Sequence, residues 1–291
     1  MAGLKLTSAS FPKVLESPKM DKPNEAAAAV AANIAGYQAR TEAAFIAGSP
    51  HLKYAKLRQL YDQLVQAAIS GVARPEANLR VCDLGAGDGL ASRPWLDRNV
   101  QLTAVDSSAT MLERFARRPR VRSVQTVLAD ADSFAGTTER RFDIVCFVST
   151  LHHVPDYMGL LEKSLRILEP GGAFLSFQDP LRFDRMQAFA HRADRGLYLS
   201  WRVTKGNLGR GLRTQWRRLR HVYLPSEAAD FEEFHAVRSG VDSEAIAMRL
   251  RAEFREVSET RYWSNQAPWG QFLGARMGLK NTFAILATGK Q

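Results

Sequence analysis

Apolar positions along the chain change period several times, and the changes mark out its elements. Residues 1–23 mix Ser, Pro and Lys without a regular alternation and are expected to form a loose tail. Asn24 stands where a helix cap is expected, and an alanine-rich run follows it towards Phe45 until Gly48-Ser49-Pro50 breaks the pattern. Leu52, Leu57, Leu60, Leu64 and Ala68 then recur at helical spacing as far as Gly71. Strand-like apolar runs come next at 79–83, 100–105, 123–128, 142–148 and 173–177. The fourth is almost wholly apolar, as a central strand covered on both faces is. Between the runs, Ser107 and Ser108 can cap a helix carrying Met111, Leu112 and Phe115, and Leu160, Leu161, Leu165 and Leu168 mark another. Residues 169–172, Glu-Pro-Gly-Gly, read as a turn.

Strands alternating with helices at this spacing predict an α/β fold with a doubly wound, mostly parallel sheet. The alternation stops between Pro180 and Arg238, a stretch rich in Arg and aromatic residues that reads as a helical insertion after the fifth strand. A helix at 243–254 and strands at 257–263 and 281–287 complete seven strands, the last two joined by a loop holding Trp269 and Phe272. The expected division is a tail (1–23), an N-terminal helical lid (24–78), a ligand-binding core (79–180), a helical cap over the substrate (181–240) and the C-terminal part of the core sheet (241–291).

Composition narrows the class. A chain of 291 residues, 45% hydrophobic and 24% charged, can bury a full core and is enzyme-sized. The net charge of +10 suits an anionic partner or an Arg-rich proteome. Cys82 and Cys146, the two cysteines, both fall in apolar strand-like runs, which is the pattern of buried reduced thiols. No Cys or His spacing suggests a metal site. The small-apolar run at 26–32 is too short to span a bilayer and follows a polar segment, the reverse of a secretory signal, so a cytoplasmic protein without membrane attachment is expected.

The chemistry is concentrated at 83–89, Asp-Leu-Gly-Ala-Gly-Asp-Gly, where a strand breaks into alternate glycines before Leu90, at which a helix can open. Glycine permits the tight backbone angles and the close approach of a ligand to the main chain. The next strand ends in Asp106, 23 positions after Asp83. An acid at that place accepts hydrogen bonds from ribose hydroxyls in nucleoside-binding α/β folds.

An acid two residues before glycines at every second position resembles the first motif of class I S-adenosylmethionine (SAM)-dependent methyltransferases, and Asp106 resembles their second. The similarity is clear over residues 79–177 and weaker towards the last strand. It implies SAM as cofactor, held through the main chain at Gly85, Ala86 and Gly87, with Asp83 near its ammonium group. Asp106 and the neighbouring Ser107 would meet the ribose; Met111, Asp130 and Ala131 would flank the adenine; Ser149, at the fourth-strand exit, would pass beneath the methionine portion. The structural alternatives are a core methionine at Met111 and a helix-capping acid at Asp130. From the lid, Tyr37, Arg40, His51 and Lys53 are candidates to close over the SAM carboxylate, since a sequestered charged end needs cationic or hydroxyl partners.

Methyl transfer demands mainly in-line positioning, with a base where the acceptor must lose a proton. His153 is the first candidate base and His152 the second, with His191 and His235 in the insertion behind them. Trp201, Trp216, Trp263 and Trp269 are candidate walls of an acceptor pocket, which points to a small, partly aromatic or apolar acceptor of natural-product type. The Arg-rich run 205–221 fits either a solvated helix face or an anion-binding surface. A methyltransferase of RNA or protein is the alternative that the charge favours, although no RNA-binding module is recognisable and nucleic acid is disfavoured. A SAM-fold binder or cyclase is the other. The lid helices offer a surface for a homodimer, which nothing in the sequence specifies.

Overall fold

The computed structural model describes residues 42–119, 124–204 and 240–291. Three helices come first: α1 (Glu42–Gly48), α2 (Pro50–Lys53) and α3 (Ala55–Ser70). The chain then runs β1 (Arg80–Leu84), α4 (Arg93–Leu96), β2 (Gln101–Asp106), α5 (Ala109–Ala116), β3 (Val124–Leu128), α6 (Ala131–Thr137), β4 (Phe142–Val148), α7 (Tyr157–Arg166) and β5 (Leu168–Pro180). The C-terminal part comprises α8 (Ala188–Thr204), α9 (Ser243–Arg251), β6 (Phe254–Tyr262), α10 (Pro268–Arg276) and β7 (Thr282–Lys290).

The seven strands form one sheet in the order β3-β2-β1-β4-β5-β7-β6. Neighbours from β3 to β5 pair in parallel, and β7 runs antiparallel to both β5 and β6. The expected fold class is therefore found. Alternation along the strands assigns each side chain to one of two cores. Val145 and Phe147 of β4 join Leu160, Leu161 and Leu165 of α7 and Ile246 and Leu250 of α9. Ile144, Cys146 and Val148 face the other way, onto Tyr61 and Val65 of α3, Trp95 of α4 and Phe115 of α5. β4 is buried along its whole length, as its composition predicts.

Several boundaries differ from the sequence reading, each for a local reason. The expected second helix is two, α2 and α3, because Tyr54 takes an extended conformation between them. Residues 169–172 do not end an element. They form an irregularity inside β5, where pairing jumps from Phe142↔Leu168 to Ile144↔Ala173 and Gly171 adopts φ +76°. Trp269 and Phe272 lie on a helix, α10, not in a loop; Pro268 at its first turn starts it. The helix expected from Leu90 amounts to the four residues of α4, with Pro94 again in the first turn. Of the insertion, α8 and the turns before it are described. Residues 1–41, with Tyr37 and Arg40, and residues 205–239, with Trp216, His235 and the Arg-rich run, lie outside the described residues.

Candidate functional site: the glycine turn and the strand exits

Parallel β1, β2 and β4 end on the same edge of the sheet, and the turn after β1 lies there. Its glycines adopt left-handed angles, φ +83° at Gly85, +58° at Gly87 and +80° at Gly89. A side chain at Gly85 would meet Thr150 at 2.6 Å and one at Gly89 would meet the Phe115 ring at 2.7 Å. At Gly87 nothing lies within 4 Å of where a Cβ would stand. The turn is packed on both flanks and open at its middle, the shape of a cradle for a ligand that approaches the main chain.

Asp106 ties the two motifs together. Its Oδ2 accepts from the Gly87 N–H at 2.8 Å and its Oδ1 from the Ser108 N–H at 2.8 Å. Burial raises its pKa, and those two N–H groups oppose the rise. The turn and the second-strand acid thus meet as the motif spacing requires. Ser108, not Ser107, caps α5, accepting from Met111 N–H at 3.4 Å.

Asp83 lies beneath the turn with no exposed surface. Ser92 donates to its Oδ2 at 2.6 Å, while Oδ1 is buried without a hydrogen-bond partner. Burial pushes this carboxyl up to about 6 from the ordinary 3.8, against the hydrogen bond from Ser92. Asp88 is buried as well and is held from outside the motif: Arg118 donates to its carbonyl at 2.9 Å and its carboxylate at 2.6 Å, and to Glu42 of α1 at 3.1 Å. Sequence reading missed Arg118, whose place after α5 carries no motif.

On the adenine side, Met111 is buried in the fold. Asp130 caps α6, its Oδ1 accepting from the Ser133 N–H at 2.9 Å, and Ala131 is the first residue of that helix.

At the β4 exit Ser149 takes φ +57°, and its N–H donates to the Phe177 carbonyl at 2.7 Å. His152 follows, with Nδ1 2.8 Å from Asp179 Oδ1 and its own N–H donating to the same oxygen at 3.2 Å. Asp179 is fully buried and accepts from Ser176 Oγ at 3.1 Å. The His153 ring lies 4.1 Å from that of His152. Asp179 was not foreseen; its signal in the sequence is a lone acid just past an apolar strand, the same cue that singled out Asp106.

Burial, then the neighbouring His152, drives the His51 pKa down to about 3. His51 packs edge-on against Phe177, with Nδ1 buried and lacking a hydrogen-bond partner. Lys53 spends an N–H on the Gln266 carbonyl at 3.1 Å, which the Tyr54 hydroxyl also reaches at 3.0 Å. Trp263 is buried, donating to the Gly270 carbonyl at 2.9 Å and packed on Gly274. Trp269 is 53% exposed, on the outward face of α10. Trp201 belongs to α8. Phe183 stacks on His191 with ring centres 4.6 Å apart. Among the described residues no group of three His, Cys, Asp or Glu could hold a metal, and no helix is long and apolar enough to cross a membrane.

Residues 82–176 match the methyltransferase domain family. A ubiquinone biosynthesis O-methyltransferase of Chelativorans sp. (strain BNC1) is 30% identical over 102 residues, 34% of this chain and 40% of that protein. One from Xanthomonas oryzae pv. oryzae (strain PXO99A) is 32% identical over 103 residues, 34% of this chain and 43% of that protein. The chain thus spans less than half the length of these curated relatives. Among solved structures, the N-methyltransferase NodS from Bradyrhizobium japonicum WM9, in complex with S-adenosyl-L-homocysteine, superposes with a TM-score of 0.52 over 89% of this chain and 97% of that one. At 13% identity it speaks for the fold.

Proposed function

We propose, from a chain that carries a methyltransferase domain across residues 82–176 in a class I sheet, that it is a SAM-dependent methyltransferase acting on a small molecule. The observation that carries this reading is the 2.8 Å hydrogen bond from Gly87 to Asp106 at a turn whose middle is open. When bound, SAM supplies an electrophilic methyl group on a sulfonium. Gly85, Ala86 and Gly87 would hold it through the main chain and Asp106 with Ser107 through the ribose. Met111 and Ala131 would lie towards the adenine, with Asp130 retaining its cap, and Ser149 towards the methionine portion.

His152 is the better candidate base of the two adjacent histidines. A carboxylate can only accept, so the contact with Asp179 fixes the proton on Nδ1 and makes Nε2 the basic nitrogen. An acceptor hydroxyl presented to Nε2 would give up its proton there, and the imidazolium formed is stabilised by the buried Asp179. The base, by this reading, serves a hydroxyl-bearing acceptor.

Calorimetry with SAM and S-adenosylhomocysteine, followed by transfer of a labelled methyl group to a panel of phenols, alcohols and amines, tests the proposal. Folded protein that takes up neither nucleoside would overturn it. Methyl incorporation into RNA or protein, with salt-dependent retention, would move the acceptor to a macromolecule.

A further inference from the structure

Among the described residues two that are not glycine have left-handed backbones, Ser149 at φ +57° and Gln178 at φ +70°. Such angles are costly for residues with a Cβ and persist where neighbours impose them. Ser149 stands just past the end of β4 and Gln178 lies in the neighbouring β5, the two strands being joined there by the hydrogen bond from Ser149 N–H to the Phe177 carbonyl. Each stands just before part of the proposed base pair: Ser149 leads through Thr150 and Leu151 to His152, and Gln178 is followed directly by Asp179.

The strand register shows what Gln178 does. β5 pairs with β7 as Phe177↔Ala284 and then Asp179↔Phe283, so Gln178 is an extra residue in the ladder, a bulge. Without it the alternation of β5 would send residue 179 to the opposite face. With it, Asp179 turns beneath His152 and reaches both its ring and its main chain. The bulge is clamped from β6. The Tyr262 hydroxyl accepts the Gln178 N–H at 3.1 Å and donates to Gln178 Oε1 at 3.2 Å, and Gln178 Nε2 donates to Ser264 Oγ at 2.6 Å. Tyr262 itself is fixed by stacking on Phe177 with ring centres 5.6 Å apart.

We infer that Tyr262 is a positioning residue: its hydroxyl holds the strained Gln178 bulge in place and thereby sets Asp179 against His152. The inference rests on His152 and Asp179 acting as the base pair. It makes a particular demand, that Tyr262 should be needed because residue 178 is strained. Glycine takes a left-handed angle freely, so Gln178→Gly should make the clamp dispensable.

The test reads the Nδ1–H proton of His152 by NMR in the full chain with labelled imidazoles, saturated with S-adenosylhomocysteine. A proton bonded to a buried carboxylate resonates far downfield, and loss of the signal in His152→Ala assigns it. The expected pattern is loss of the signal in Asp179→Asn, loss or upfield movement in Tyr262→Phe, and recovery in Tyr262→Phe combined with Gln178→Gly. Nucleoside affinity by calorimetry should stay unchanged in both Tyr262 variants, which also reports that they fold. A wild-type signal in Tyr262→Phe overturns the inference, as does a double variant that binds nucleoside yet recovers nothing. If Asp179→Asn leaves the signal in place, the base pair itself is wrong, a different failure. Should Tyr262→Phe fail to fold, Gln178→Gly alone decides: it must keep the signal, and losing it while folded refutes the argument from strain.

Discussion

Replacing Asp83 with Asn probes the energetics of the turn most directly. The carboxyl is fully buried, one oxygen is partnered by Ser92 at 2.6 Å and the other has no partner. Its pKa stands at about 6 against 3.8 in an unstructured chain. A gap of about 2 units is worth roughly 3 kcal/mol at 1.36 kcal/mol per unit. Because the folded pKa is the higher one, the contribution of this group to stability is fully present below pH 4 and is lost as the pH rises through about 6. Above that the folded chain carries an ionised carboxylate whose burial is only partly offset. Asn keeps an acceptor for Ser92 and removes the charge. Asp83→Asn should therefore stabilise the nucleoside-free chain by up to about 3 kcal/mol at pH 7.5, by about half that at pH 5, and by nothing near pH 4. Urea unfolding at the three pH values measures this. SAM affinity should move the other way, by about tenfold, because in the proposed site the charge that destabilises the empty chain would attract the cofactor's ammonium group. A variant less stable than wild type at pH 7.5, or one whose stability follows the wild-type pH curve, would refute the reasoning.

Other expectations are simpler. His152→Ala and Asp179→Asn should each lower methyl transfer about a hundredfold or more while SAM binding by calorimetry is kept; near-normal transfer by His152→Ala would remove the base assignment. Gly89→Ala should destabilise the fold by about 1–3 kcal/mol in urea, because the new Cβ meets Phe115 as well as an unfavourable angle. Gly87→Ala, with open space around it, should cost only about 1 kcal/mol of stability yet lose most nucleoside affinity. Asp143, nearly buried and paired with Arg80 at 3.1 Å and Arg74 at 3.3 Å, closes the opposite end of the sheet. Asp143→Ala should cost about 3 kcal/mol in urea and leave SAM affinity unchanged in the folded fraction.

The strands were legible because a sheet covered on both faces writes itself as apolar runs, as β4 does from Phe142 to Val148. The glycine turn and Asp106 were legible because backbone angle and hydrogen-bond capacity restrict which residues can stand there. What escaped has a common cause in tertiary contact. Nothing local distinguishes Trp263, buried on Gly274, from Trp269, half exposed one turn of chain later. The lowered pKa of His51 follows from its burial and the nearby His152, far away in sequence. The bulge at Gln178 gives no sign in composition, since glutamine is an unusual occupant of a left-handed position; only the pairing register with β7 exposes it. His153 and His152 are equivalent to a reader of motifs; the contact of the buried Asp179 with the His152 ring comes only with the fold.

Arg118 grips Asp88 in the glycine turn with one part of its guanidinium and Glu42 of α1 with another. Linkage between two sites that share a partner runs equally in both directions. Whatever steadies the turn must steady α1 to the same extent, so a nucleoside in the cradle should slow proteolysis at residues 42–48. Loosening of α1, in turn, should be felt as a weaker grip on that nucleoside, with a helix outside the sheet acting as a brake on its release.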